Sequence, residues 1–216
     1  MLPMKQFITW SYSQVSCWQQ CPHRARLQYL EKIPTPTAPA LLRGSSIHKE
    51  AEDYLTGKTE ILSDNLRLLE SNFVKLRKRE PDVELVWAFD RNWEPCEPFG
   101  KDRWLKVILD VHFSTGKTAT VIDHKTGKVR SDAHQKQMGL YALAAMIHGA
   151  KKVNTELWYL DYGRVAKHSY GEHEVGEMKR QWESVVRFME ADTIFAKKPS
   201  PLCGWCPFHN TQHCEF

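Results

Sequence analysis

Apolar residues recur along this chain first at helical spacing, then in the alternation of strands, then at helical spacing again. Ser11 and Ser13 are candidate caps for a first helix, and Pro22 suits the start of a further helical turn reaching about Leu30. Ile33 to Pro39 holds three prolines and reads as a loop. A helix is predicted from Leu41 to Leu55, stopped near Gly57. Leu66, Leu69, Phe73 and Leu76 then continue the helical period up to Pro81.

The period changes to two at Val83, Leu85, Trp87 and Phe89, which predicts a strand with Glu84 on its other face. Val107, Leu109, Val111 and Phe113 repeat the pattern, and Ser114 to Lys117 turns the chain into a third strand, Thr118 to Lys125. A helix from Asp132 to Ile147 follows, ended by Gly149. Val153 to Leu160 is the next strand, Asp161 to Gly163 a turn, and Arg164 to Tyr170 a partner strand. Val175, Met178, Trp182, Val185 and Met189 mark a final helix, before a cysteine-rich tail from Pro199. Helices, three strands, helix, strands and helix predict a mixed α/β domain with its strands in one sheet. We expect a single domain over 1–216, with 1–80 mainly helical, 81–170 holding the catalytic sheet and helix, and 171–216 a helix and tail.

Composition changes this picture little. A hydrophobic share of 42% is enough for one packed core, and no apolar run approaches the ~20 residues that cross a bilayer. Met1 to Gln6 lacks the charged-then-apolar layout of a signal peptide, so the expected location is cytoplasmic, with no membrane partner. A net charge of +4 permits a phosphate-bearing partner without demanding one. The basic run Lys75 to Arg79 and the pair Lys197–Lys198 read individually as solvated surface. Gly116-Lys-Thr118 lacks the leading glycine of a phosphate loop, and His173-Glu174 lacks the second histidine of a zinc peptidase helix.

The chemistry-bearing residues lie on the second and third strands. Side chains two apart on a strand point the same way, which puts Asp123 and Lys125 on one face. Asp110 faces away from the apolar set on its own strand, so pairing through the 114–117 loop brings it beside Asp123. Two close carboxylates repel unless a cation intervenes, and a hard divalent ion such as Mg²⁺ resolves the conflict. Such an ion polarises a phosphoryl oxygen and lowers the pKa of a bound water, while a neighbouring lysine orients that water or stabilises developing charge. The chemistry implied is phosphodiester hydrolysis. Taken alone, an Asp-x-Lys on a strand is most often a surface ion pair worth at most ~1 kcal/mol.

Six cysteines without a secretory context do not make a disulfide scaffold. Cys203 and Cys206 form a C-x₂-C pair suited to chelating one centre, with Cys214 further on and Cys17 and Cys21 near the other end of the chain. Zinc or iron–sulfur fits such thiolates, and His209 and His213 offer substitute zinc ligands.

Ser13-Gln-Val-Ser-Cys-Trp-Gln-Gln-Cys-Pro22, Gly44-Ser-Ser-Ile-His48, Asp110, Asp123-His-Lys-Thr-Gly127, Gln137-Met-Gly-Leu-Tyr141 and the terminal cysteines follow one another in order along nearly the whole chain. In that order the chain resembles the RecB-like branch of the PD-(D/E)xK nuclease superfamily, which includes CRISPR-associated and phage exonucleases. The resemblance implies a restriction-endonuclease-like fold, a mixed central sheet flanked by helices, with the N-terminal helical part joined to the C-terminal tail by a metal centre. It implies Asp110 and Asp123 as central ligands of Mg²⁺ or Mn²⁺, with His48 and the His124 carbonyl completing the shell. Lys125 would act on the attacking water, and Gln137 and Tyr141, one helical turn apart, would position Lys125 or DNA. Glu52, one turn beyond His48, and Glu84 would border that site. Cys21, Cys203, Cys206 and Cys214 would hold a [4Fe-4S] cluster, with structural zinc as the alternative. A crosslink across so long a loop stabilises by about 5 kcal/mol in the chain-entropy model. Leu109 replaces the proline of the superfamily's name, and Val107 stands where these relatives often carry glycine.

The function expected is a metal-dependent DNA exonuclease. Its rivals are a structure-specific endonuclease of the same fold and a DNA-end-binding subunit active only inside a complex. Candidate partners are DNA ends, single-stranded or duplex, and proteins of recombination, repair or CRISPR adaptation.

Overall fold

A computed structural model of the chain describes residues 6–215. The leader layout sought in the first residues lies outside this range up to Lys5, as does Phe216. The chain divides into two compact units, one of residues 38–179 and one built from the two ends, residues 1–37 and 180–216.

The larger unit carries a five-stranded sheet: β1 (Asp82–Phe89), β2 (Leu105–Thr115), β3 (Thr118–Lys125), β4 (Lys152–Tyr159) and β5 (Arg164–Gly171), side by side in chain order. All neighbours are antiparallel except β3 and β4. A parallel pair needs a crossover, and the helix Ser131–Ile147 supplies it. The β2–β3 turn is tighter than the sequence suggests: β2 runs on to Thr115, leaving only Gly116 and Lys117, with Gly116 at φ +59, where a glycine is unhindered.

Two helices in the same unit precede the sheet, Pro39–Leu55 and Glu70–Arg77. They were grouped by sequence with the N-terminal helical part, yet their apolar faces complete the core of the sheet unit. Ile47, Ala51, Tyr54 and Leu55 meet Leu66, Leu69, Phe73 and Leu76 over Val111, Ile122 and Trp158. Phe73 is fully buried, its ring 5.1 Å from that of Trp158, 5.3 Å from His124 and 6.4 Å from Tyr54. The crossover helix is buried without a break from Leu140 to Met146, as expected of a helix covered on all sides.

In the second unit Ser11 caps the helix Tyr12–Gln20 by accepting from the Gln14 N–H. Pro22–Ala25 is a short helix that widens into a π turn, Arg26–Leu30. The two chain ends meet through apolar and polar contacts alike. Trp10 stacks on Trp182 at 5.4 Å, Phe7 lies 6.3 Å from Phe195, and Trp18 Nε1 donates to Asp192 Oδ2 at 2.8 Å. The last helix, Val175–Ala191, buries Val186 and Met189. Among the described residues no helix is long and apolar enough to cross a membrane.

Because Phe73 joins the helices to the sheet in one aromatic cluster, Phe73→Ala is expected to lower unfolding stability by about 3–5 kcal/mol. Urea unfolding would register this as a lower midpoint at unchanged slope; an unmoved midpoint would refute the role given to Phe73.

Candidate active site and cysteine cluster

The β2–β3 ladder is hydrogen-bonded from the turn up to Val111 opposite Ile122. One residue further along each strand stand Asp110 and Asp123, as the sequence pattern predicts. Asp110 Oδ2 accepts the His124 backbone N–H at 2.7 Å and lies 3.3 Å from His48 Nδ1, which projects from the helix Pro39–Leu55. On the other side, Val83 and Leu85 pair with Val111 and Leu109, so Glu84 stands across from Asp110. Glu84 has φ +51, rare for a side chain of its size and of the kind found where backbone strain is retained at functional sites. His48, Glu84 and Asp110 each offer a ligand atom within 4.8 Å of the others. An imidazole with two carboxylates is a donor set that suits a divalent cation.

Asp123 lies just outside that group, 2% exposed, with Lys125 Nζ 2.5 Å from its Oδ2. The same ammonium donates to Gln137 Oε1 at 2.9 Å, and Gln137 Nε2 donates to Tyr141 Oη at 2.7 Å. Gln137 and Tyr141 thus face the aspartates from the crossover helix, and a polar chain runs from Asp123 through Lys125 to Tyr141.

The electrostatics split the two aspartates. Burial pushes Asp123 up to about 6, aided by the Asp110 charge and opposed by Lys125. Burial also pushes on Asp110, but the His48 bond and charge, His124 and its N–H outweigh it and hold Asp110 below the ordinary value. His48 moves the other way: burial lowers it, and Asp110 more than restores it. Burial and the Asp110 charge raise Glu84. Carboxylates crowded in this way favour a bound cation over the proton that otherwise relieves them.

The His124 ring is buried between Phe73 and Trp158, and burial lowers it to about 4. Its side chain is therefore mostly core, although its Nδ1 comes within 4.0 Å of Asp110 Oδ2. Glu52 reaches the cleft, but its carboxylate is held by Lys49 at 2.9 Å and Lys58 at 2.7 Å. The cleft itself measures about 550 Å³ and is open to solvent.

Arg43, Asp161 and His134 stand near the site and carried no sequence signal beyond turn or helix. Asp161 Oδ2 accepts Arg43 Nη1 at 3.0 Å and the Gly127 N–H at 2.6 Å, while Oδ1 accepts Arg43 Nη2 at 2.6 Å. This clasp ties the helix bearing His48 to the chain leaving β3. A Cβ on Gly44 would lie 3.3 Å from Thr126 Oγ1, which explains a glycine at this close approach. His134 lies 3.4 Å from Tyr159 Oη, its pKa lowered to about 4 by burial and by Lys125 and Arg130.

In the second unit, Cys21, Cys203, Cys206 and Cys214 line one cavity of about 40 Å³, with Arg24 and Lys198 at its edge. All are free thiols. Cys203 Sγ accepts the Ser200 N–H at 3.3 Å. Cys17, the sequence competitor of Cys21, is buried in its helix with its thiol pushed up to about 11 by that burial. His209 and His213 are not part of the lining, although the His213 carbonyl meets His23 Nε2 at 2.9 Å.

No curated protein matches the chain. Among solved structures, one described as "Crystal structure of SSO0001" aligns with a TM-score of 0.53 at 17% identity, covering 94% of this chain and 85% of that chain. At that identity the likeness is one of fold. The family model described as "PD-(D/E)XK nuclease superfamily" matches residues 9–211, taking in the aspartates, the lysine and the Gln137–Tyr141 pair. On that match, with a mixed sheet flanked by helices beneath it, the chain belongs to the PD-(D/E)XK nuclease superfamily.

Proposed function

We propose that the protein is an Mg²⁺- or Mn²⁺-dependent DNA exonuclease of the RecB-like branch. The observation that carries the metal-dependent reading is the convergence of His48, Glu84 and Asp110, with the Asp123–Lys125 pair beside them. The donors fit a hard divalent ion, and the raised pKa of Asp123 comes from burial beside the Asp110 charge, a conflict that a bound cation relieves. Asp110, Asp123 and His48 would hold the ion, with Glu84 and the His124 carbonyl as further ligands. When bound, the ion polarises a phosphoryl oxygen and lowers the pKa of a water. The chain's own groups do the rest. Lys125 orients the water from its position on Gln137, Tyr141 fixes Gln137, and the buried surroundings of Asp123 keep bulk water from competing. The preference for ends comes from the RecB-like resemblance.

The four cysteines that share a cavity are assigned to a [4Fe-4S] cluster, with structural zinc as the competing occupant. Iron–sulfur follows from the same resemblance, and Arg24 and Lys198 supply charge opposite to that of four thiolates.

End-labelled linear DNA should be degraded with Mn²⁺ or Mg²⁺ and left intact with chelator, while covalently closed circles survive. Lys125→Ala should slow cleavage by about 10²–10³-fold, the usual loss on removing one group that stabilises a transition state. Folded, metal-replete wild type that leaves linear DNA whole would sink this reading, and cutting of the circles would favour the endonuclease.

Anaerobically purified protein should carry iron and sulfide with broad visible absorption, bleached in Cys203→Ser. Colourless protein holding zinc would reject the cluster. Asp161→Ala should remove a charge-assisted bond worth about 1.5–3 kcal/mol and speed amide exchange at Gly127 by about 10–100-fold. Unchanged exchange there would mean that the clasp does not hold this loop.

A further inference from the structure

A second concavity of about 500 Å³ lies on the same unit, over the ends of β2 to β5 nearest the β2–β3 turn. Its floor is one sheet face, made by alternate residues of four strands: Phe113 and Thr115, Thr118 and Thr120, Asn154 and Glu156, Lys167 and Ser169. The register sets Thr120 beside Asn154 and Asn154 beside Ser169, a row of hydroxyls and amide where the covered part of this face is apolar. An open polar sheet face is ordinary in itself. Its charge is not.

Lys75 and Arg79, from the end of the helix Glu70–Arg77 and the turn after it, border the concavity together with Lys167. The lone acid among the lining residues, Glu156, is taken by Lys167 Nζ at 2.7 Å and by Trp158 Nε1 at 2.9 Å. Two cations are left without an acidic partner among the described residues. The Arg79 guanidinium lies over the Phe113 ring at 5.1 Å, held against the floor with its N–H edges available. Ser169 Oγ donates to Asn154 Oδ1 at 2.8 Å, which fixes that amide and leaves its N–H₂ for another acceptor.

We propose that this concavity binds the phosphodiester backbone of the DNA strand, as a second contact outside the cleavage cleft; the choice of DNA rests on the nuclease reading. Cations over neutral hydroxyl and amide donors suit phosphate oxygens, and these contacts position a strand without reading its sequence. β3 runs between the two places, with Thr120 in the concavity and Lys125 at the cleft. Five residues apart, the two side chains leave opposite faces of the sheet. A DNA strand reaching both rounds the end of β3 and spans more than the ~17 Å of strand between them, which is over five base steps of ~3.4 Å. Short oligonucleotides therefore reach only the cleft, and longer ones reach both.

The test is fluorescence anisotropy of single-stranded oligonucleotides of increasing length across a salt series, without divalent metal, for wild type and the double variant K75Q/R79Q. Two lost phosphate contacts should lower the slope of log K against log salt by about 1.4, at ~0.7 per contact. The loss should fall on long oligonucleotides and spare the shortest, and cleavage of the shortest should stay at the wild-type rate. Thr120→Arg, which adds a cation to the floor, should raise the slope by about 0.7. Equal slopes in all three proteins would overturn the proposal. So would unaltered DNA binding accompanied by lost binding of polyglutamate, since an acidic polypeptide would then be the occupant. A wild type that cleaves nothing but shows these slope changes would remove the nuclease reading and keep the binding surface.

Discussion

Asp110 sits where the second and third strands stop exchanging hydrogen bonds. The pairing that begins at the Gly116 turn runs to Val111 and Ile122, and the next backbone donor, the His124 N–H, goes to the Asp110 carboxylate. A side chain has taken the place of a strand partner, and the sheet opens at that point. Through this opening His48 approaches from the helix above, Glu84 from the neighbouring strand and Lys125 from two residues beyond Asp123. Had the ladder continued, Asp110 would have remained an ordinary outward residue of β2.

The opening concentrates negative charge in a poorly solvated place, and the rest of the site answers that charge. Asp110 is answered by His48 and the His124 N–H, Asp123 chiefly by Lys125, and Glu84 by the charges of His48 and Lys49, which do not offset its burial. Lys125 is itself held by Gln137, and Gln137 by Tyr141, so the placement of one ammonium depends on the crossover helix that also makes the parallel strand pair possible. Fold and site share this element. The Asp161 clasp acts similarly, tying the segment after β3 to the helix that carries His48.

The unit formed from the two chain ends stands on its own contacts. Trp10 on Trp182, Phe7 near Phe195 and the Trp18–Asp192 bond unite the ends before any metal is considered. A centre bound at the four cysteines would therefore reinforce an existing assembly. That differs from very small metal domains, where the ion creates the fold.

Much of this was legible in the sequence. Alternation of apolar residues marked β1 and β2, because a half-buried strand has little freedom in where its apolar side chains point, and the turns at 114–117 and 161–163 bounded the other strands within a few positions. The same alternation put Asp123 and Lys125 on one face and Asp110 opposite the apolar set of its strand. A hairpin loop then required the two aspartates to be neighbours. Local rules end there. Glu84 joins His48 and Asp110 because of a left-handed backbone conformation that its sequence does not announce. Asp161 looked like a turn residue, and its partners Arg43 and Gly127 lie far away along the chain. The choice of Cys21 over Cys17 came from the resemblance alone, whereas packing buries the Cys17 thiol and leaves Cys21 lining the cavity. Lys75 and Arg79 read as a solvated helix end, and only the polar sheet floor beside them gives their charge a place to act. The sequence by itself determined which residues share an element and a face, since that depends on neighbours two to four positions apart. Tertiary structure decided which charges meet and which are buried, because Coulomb energy and desolvation depend on distances in space.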